Sequence, residues 1–363
     1  MDSGNIPENN MFQFDNFGSI QAEPTDHYYL NSNNSDTAKK CLNKHNTLST
    51  IMKEWKILSK NLPDSIYVRV YESRIDLLRA AILGPAGTPY HDGIFFFDIL
   101  LPYDYPKQPP KVYYHSHGYH INPNLYKTGY VCLSLINTWS GEKNEMWTKK
   151  STLLQILVSI QGLILNERPY FNEPGFGDLR NSTDSEWINR SIRYNEATFV
   201  FSCKAMLHVI RNPPQNFEGL VVGHFRDRAA SILAAIKDYQ EGRALIGQLP
   251  NTNEGESSFE VLPQLKADLT SLHSDFENAL SDLNSEAINM NISAESVIEE
   301  LPIGSSSTTN SAMNNNSKES TESVVKKELP IKSSSISSNS KPNKKGFLGK
   351  LVSKFGKCYS SIN

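Results

Sequence analysis

At 363 residues and a formal net charge of −3, the chain has room for two average domains. Its composition shifts so strongly along its length, however, that one folded domain between long polar flanks is expected. The near-neutral balance excludes a dedicated nucleic-acid binder, which gathers Lys and Arg on one face to neutralise phosphates.

The polar, proline-broken start and the lack of any apolar run near the ~20 residues of a membrane span argue against secretion and membrane insertion. Four scattered cysteines, Cys41, Cys132, Cys203 and Cys358, show neither CxxC pairs nor zinc-like His spacing. Reduced thiols and a cytoplasmic and/or nuclear location are therefore expected.

Residues 1–45, rich in Asn, Asp, Ser and Pro, bury too little apolar surface to offset the entropy of ordering, and read as a disordered extension. From Thr47 onward, Leu48, Ile51, Met52, Trp55 and Leu58 recur at helical spacing, predicting an amphipathic helix that stops before Leu62-Pro63. Strand-like runs follow at Ile66 to Glu72, Leu77 to Leu83, Ile94 to Leu100 and Lys111 to His115, rich in β-branched and aromatic residues and separated by turn signals. Short connections between them imply an antiparallel meander. Ser151 to Leu165 then reads as a helix with a broad apolar face, and Ser185 to Arg211 and Leu220 to Glu241 as two more. The fold class is α+β, with a core domain at 46–212 and a helical C-terminal extension of it at 213–243.

Residues 244–340 form an acidic, Ser/Asn-rich linker in which only Phe259, Leu262, Leu265, Leu269, Leu272, Phe276, Leu280 and Leu283 keep a helical spacing. The segment 341–363 is basic, with Phe347, Leu348, Leu351, Val352 and Phe355 on one helical face among lysines. That pattern suits peripheral contact with an anionic membrane surface, or a partner groove.

The chemistry is concentrated in LPYDYPKQPPKVYYHSHGYHINPNLYKTGYVCLSLINTW, where Asn124 stands eight residues before Cys132. A Cys between Val131 and Leu133 is by itself most often a buried, inert residue. Gly129 and the Asn122-Pro123-Asn124 turn change the reading, because an irregular loop can present a thiol beside a polar side chain. A hydrolase triad fits poorly, since no His-plus-acid arrangement accompanies Cys132. A Cys that takes up an acyl group and yields it to an amine needs no permanent base. It needs a donor for the developing oxyanion and surroundings that lower the amine pKa. His115, His117 and His120 offer no evident third ligand type, so no metal is expected.

Residues from about 47 to 212 resemble the ubiquitin-conjugating (E2) family, most closely the large E2 enzymes related to E2/E3 hybrids. The resemblance rests on PYHDGIFFFDILLPYDYP, PP-K-V, NPN, VCLSL, MW and PYFNEPGF, in the family's order. It implies the ubiquitin-conjugating fold, a four-stranded antiparallel meander flanked by helices. It makes Cys132 the thioester-forming nucleophile, Asn124 the active-site Asn supporting the oxyanion or the loop, and Glu173, before Pro174, the acid that orients the incoming lysine. The implied partners are ubiquitin, its activating enzyme, substrate proteins and, where one is used, a ligase; no cofactor is implied, ATP being consumed upstream. Two alternatives stay open: a non-catalytic ubiquitin-binding adaptor, or an E2 for another ubiquitin-like modifier. The usual His-Pro-Asn is Asn122-Pro123-Asn124 here. Lys107 and Thr148-Lys149-Lys150 replace apolar ligase-docking anchors, so dependence on RING or HECT ligases stays open as well. SGEKNEM, between Trp139 and Trp147, lengthens the loop beside Cys132.

Overall fold

The computed structural model describes residues 14–30, 45–176, 179, 181–248 and 259–298, with backbone only for 45, 46 and 284–298. The chain divides into two units, Met1–Ile288 and Asn289–Asn363. In the second, residues 289–298 are helical.

The predicted strands pair as a meander: β2 (Ile66–Tyr71), β3 (Leu77–Leu83), β4 (Ile94–Leu100) and β5 (Lys111–Tyr114) are successive antiparallel neighbours. A fifth strand, β1 (Phe17–Ile20), adds parallel to β2 with Phe17 opposite Val68. β4 is buried along its whole length and β3 along nearly all of it, the signature of a sheet covered on both faces.

On the inner face, Leu78, Ala80, Ile82, Phe95, Phe97 and Ile99 pack with α1 (His45–Asn61) and α2 (Leu153–Ser159). The outer face is covered in two parts. At one end, Ala81, Ile94 and Phe96 join α3 (Ser185–Arg211), α4 (Glu218–Gln240) and α5 (Pro263–Ile298) in a second core built on Phe199, Met206, Phe217, Phe225, Leu269 and Phe276. At the other end, Tyr71, Leu77 and Leu100 are capped by Ile20, Tyr29 and Leu30.

Between these apolar zones, one row across the outer face reads Gly18, Arg69, Arg79, Asp98, Tyr113 by strand register. Arg79 Nε donates to Asp98 Oδ1 at 2.6 Å, both side chains fully buried, and Arg79 Nη1 reaches both oxygens of Asp26 at 2.8 Å. Burial alone would raise the Asp98 carboxyl, but His115 and Arg79 beside it hold it well below the usual carboxylate range.

Two expectations about the flanks are corrected. Residues 14–30, within the segment expected to be disordered, are ordered because distant partners complete them. Asn16 Nδ2 donates to the carbonyls of Pro63 and Ile66 at 3.1 and 2.9 Å, and the fully buried Arg79 requires Asp26 as a counter-ion. In the expected linker, the helically spaced residues become α5, and Leu269, Leu272, Phe276, Leu280 and Leu283 enter the second core. The segment 341–363 lies outside the described residues.

The helix expected over Ser151 to Leu165 begins with a capping box, Thr152 accepting from the Gln155 amide while the Gln155 side chain accepts from the Thr152 amide. Buried Glu54 accepts from the Leu153 amide at 3.0 Å and from Tyr105 Oη at 2.8 Å, tying α1 to the start of α2. After Ser159 the helix widens to a π-turn through Ile164. The Ile164 carbonyl at its end is turned toward side chains of the site.

Candidate functional site

After β5 the chain reaches the Asn122-Pro123-Asn124 turn, which is built by Asn122. This side chain is fully buried, at 0% exposure. Its amide donates to Tyr90 Oη (2.8 Å) and to the Ile164 carbonyl (2.7 Å), and its oxygen accepts from the Asn124 backbone amide (2.8 Å). The last bond is an Asx-turn, the motif by which Asn replaces a backbone partner. Tyr90 Oη in turn donates to the Ile121 carbonyl at 2.9 Å. Asn172 Nδ2 shares the Ile164 carbonyl at 3.2 Å, so the loop of Asn172 and the NPN turn hang on one acceptor.

Asn124 and Cys132 then close a hairpin from opposite sides. The Cys132 amide donates to the Asn124 carbonyl at 2.8 Å, and Asn124 Nδ2 donates back to the Cys132 carbonyl at 2.9 Å. Leu125 bridges Val131 between them. Gly129, with φ at 86°, turns the chain where an L side chain is disfavoured. Cys132 is 5% exposed, and its Sγ lies 3.3 Å from the Thr138 carbonyl. Thr138 Oγ1 fastens the chain on both sides of the cysteine, donating to the Val131 carbonyl and accepting from the Leu133 amide. Burial pushes the Cys132 thiol up from its ordinary value. The hairpin therefore presents a shielded thiol whose thiolate form is disfavoured by burial.

Glu173 is exposed just past the 3-10 turn Pro169–Asn172. That turn is anchored by Asn166 Nδ2 on Asn172 Oδ1 at 2.7 Å, and by Tyr170 stacking on Phe176. Tyr126, exposed at the hairpin tip, connects the two sides. Its phenol is raised by desolvation first, then by the charges of Cys132, Glu173 and Tyr130, so thiol, phenol and carboxylate are electrostatic neighbours. The sequence reading singled out Cys132, Asn124 and Glu173 and gave no role of their own to Tyr126, Asn172 or Thr138. The only sequence signal for these three was their position inside NPNLY, YFNEP and VCLSLINTW.

The remaining sequence features separate. His115 Nε2 lies 2.9 Å from Asp98, the His117 ring is 4.1 Å from that of His208, and His120 stacks on Tyr126 at 5.6 Å. Among the described residues no group of three or more His, Cys, Asp or Glu could hold a metal. Buried Trp147 donates from Nε1 to the Pro106 carbonyl at 2.8 Å, while Lys107, Thr148, Lys149 and Lys150 around it face solvent.

A family model described as "Ubiquitin-conjugating enzyme" matches residues 50–192. "Putative ubiquitin-conjugating enzyme E2 38" of Arabidopsis thaliana is 46% identical over 241 residues, covering 66% of this chain and 72% of that protein. "Probable ubiquitin-conjugating enzyme E2 23" of the same organism is 49% identical over 231 residues, 63% of this chain and 20% of the relative. A dual E2 ubiquitin-conjugating enzyme/E3 ubiquitin-protein ligase of Homo sapiens is 37% identical over 245 residues, 62% of this chain and 5% of its own length. The chain thus spans a small part of some relatives and most of another.

Proposed function

Because the chain belongs to the ubiquitin-conjugating enzyme family, we propose that it accepts ubiquitin from an activating enzyme as a thioester on Cys132 and passes it to a substrate lysine. The observation that carries this reading is the reciprocal Asn124–Cys132 pairing, which fixes the one thiol of the hairpin beside the Asn124 side chain.

In the charging step Cys132 Sγ, as thiolate, attacks the carbonyl carbon of the ubiquitin thioester on the activating enzyme. A new S–C bond forms and the activating enzyme's thiolate leaves. In the transfer step a neutral lysine Nζ attacks the Cys132 thioester, an amide forms, Cys132 leaves as thiolate and the amine gives up a proton. In this reading Glu173, exposed on the adjoining loop, orients the amine and accepts that proton, a role that an accessible carboxylate supports. Because a thioester is already activated, the protein supplies mainly position. Asn124 spends its amide on the Cys132 carbonyl, which supports a role as the lock of the hairpin.

The test is a thioester assay with activating enzyme, ATP and ubiquitin, run on non-reducing gels. A thiol-sensitive adduct that is lost in Cys132→Ala and thiol-resistant in Cys132→Ser carries the reading, and Glu173→Gln should then charge normally but discharge slowly. No adduct under conditions that charge a control E2 would defeat it, and a panel of other modifiers would show whether a different one is carried.

The reading includes a reducing location in cytoplasm or nucleus, supported by the free thiols of Cys132 and Cys203. It also includes peripheral membrane contact through 341–363, supported by that segment's lysines and apolar spacing. Deleting 341–363 should abolish sedimentation with anionic vesicles and leave charging intact.

A further inference from the structure

Residues 14–30 contain none of the reacting groups, yet they touch four strands in succession. β1 pairs with β2, Asp26 grips Arg79 of β3, and the Tyr28 amide donates to Asp98 of β4 at 2.7 Å. The Tyr28 ring then lies flat on Tyr113 of β5, with centroids 3.5 Å apart and planes within 5°. Tyr28 is 54% exposed, so this contact buries little for the core. It does something more specific at Tyr113.

Tyr113 is the floor of the catalytic hairpin. A Cβ added to Gly129 would fall 2.0 Å from the Tyr113 ring, so the Gly129 backbone rests directly on that ring. The Gly129 carbonyl accepts from the Tyr114 amide at 2.8 Å, its own amide donates to the Tyr126 carbonyl at 2.9 Å, and Tyr130 bridges Tyr113. Tyr130 Oη in turn donates at 3.2 Å to the Thr138 carbonyl, the atom facing Cys132 Sγ at 3.3 Å. A continuous line of contacts runs from Tyr28 through Tyr113 and Gly129 to both walls around the thiol.

We propose that residues 14–30 are a strap that sets the shape of the catalytic hairpin, with Tyr28 a positioning residue that acts on Tyr126 and Cys132 through Tyr113 and Gly129. The inference rests on Cys132 carrying ubiquitin, as read above. Rings held face to face fix the height of the Tyr113 plane, and Gly129 has no side chain with which to absorb a shift. Near-attack geometry is sensitive to displacements of about an ångström. Loss of the stack should therefore weaken transfer far more than folding.

The experiment uses the full chain. Cys132 is charged with ubiquitin, the activating enzyme is quenched, and loss of the thioester is followed over a range of free lysine. Tyr28→Ala is expected to charge like the wild type but to discharge about fivefold more slowly at saturating lysine, with the half-saturating lysine concentration unchanged. Tyr28→Phe, which keeps the stack, should match the wild type. Gly129→Ala, which drives a methyl group into Tyr113, should be slowed like Tyr28→Ala. Hydrogen exchange at the Gly129 and Cys132 amides, which donate to the Tyr126 and Asn124 carbonyls, should quicken in Tyr28→Ala. Equal discharge of wild type and Tyr28→Ala would overturn the strap, as would slowed discharge with unchanged exchange at those amides. Failure of the wild type to charge would overturn the reading beneath it, a result separable from both.

Discussion

Asn124 and Cys132 each donate a hydrogen bond to the other's backbone carbonyl, across 2.9 and 2.8 Å respectively. The pairing is asymmetric in one respect: the bond from Asn124 uses its side chain, so it alone can be removed by substitution. Asn124→Asp keeps the shape but turns a donor into an acceptor facing a carbonyl. Discharge of the Cys132 thioester to lysine should slow about ten- to hundredfold, while charging falls much less. Single-turnover rates for the two half-reactions, measured separately, check this.

Asn122 carries a different burden, because its bonds hold the fold rather than the reacting atoms. Asn122→Ala leaves the Tyr90 hydroxyl, the Ile164 carbonyl and the Asn124 amide each short of a buried partner. A loss of about 2–4 kcal/mol in urea unfolding is expected. A loss below ~1 kcal/mol would mean that water or Asn172 replaces it.

α5 should behave as core. Phe276 is fully buried in the second core, and Phe276→Ala should cost about 3–5 kcal/mol, read as a lower thermal midpoint. Were this region only a linker, the midpoint would not move.

Docking of residues 14–30 should weaken in mild acid. His27 Nε2 lies 3.0 Å from the Leu78 carbonyl and Nδ1 accepts from the Tyr29 amide at 3.3 Å, an arrangement that satisfies a neutral ring. The groups facing it are Asp98 from β4, Arg79 from β3, His115 beyond β5, Tyr71 from β2, and Tyr29 on its own segment. Desolvation outweighs the pull of Asp98 and lowers the His27 pKa. A lowered imidazole pKa means that the undocked segment binds more protons, so the stabilisation is complete above the unfolded value of ~6.5 and declines as pH falls below it. One such group changes docking by at most about tenfold per pH unit. Protection factors of the Tyr28 and Tyr29 amides at pH 7.5 and 5.5 measure it, and His27→Gln should flatten the difference.

What the sequence disclosed follows from range. α3 is legible to the residue, because Asp184 caps its start and Asn212-Pro213 ends it. The eight-residue interval from Asn124 to Cys132 is legible because both stand on one short hairpin. β1 is four residues, FGSI, whose parallel partners lie about fifty positions away, and no local pattern announces a parallel edge strand. Tyr126 and Thr138 gain meaning only once the hairpin brings them to the thiol, and Asn172 only through a carbonyl that a π-turn reorients.

The doubly covered sheet also bears on where this protein can be cut. The family match ends at residue 192, partway along α3 and ahead of Phe199 and Met206. A fragment trimmed to those borders would bare Ala81, Ile94 and Phe96 to water and leave Arg79 without Asp26. Such a surface is one on which molecules clump. The folded module is thus wider than the family match: its second core takes in Phe14 at one end and Leu283 at the other, and a recombinant piece should keep both.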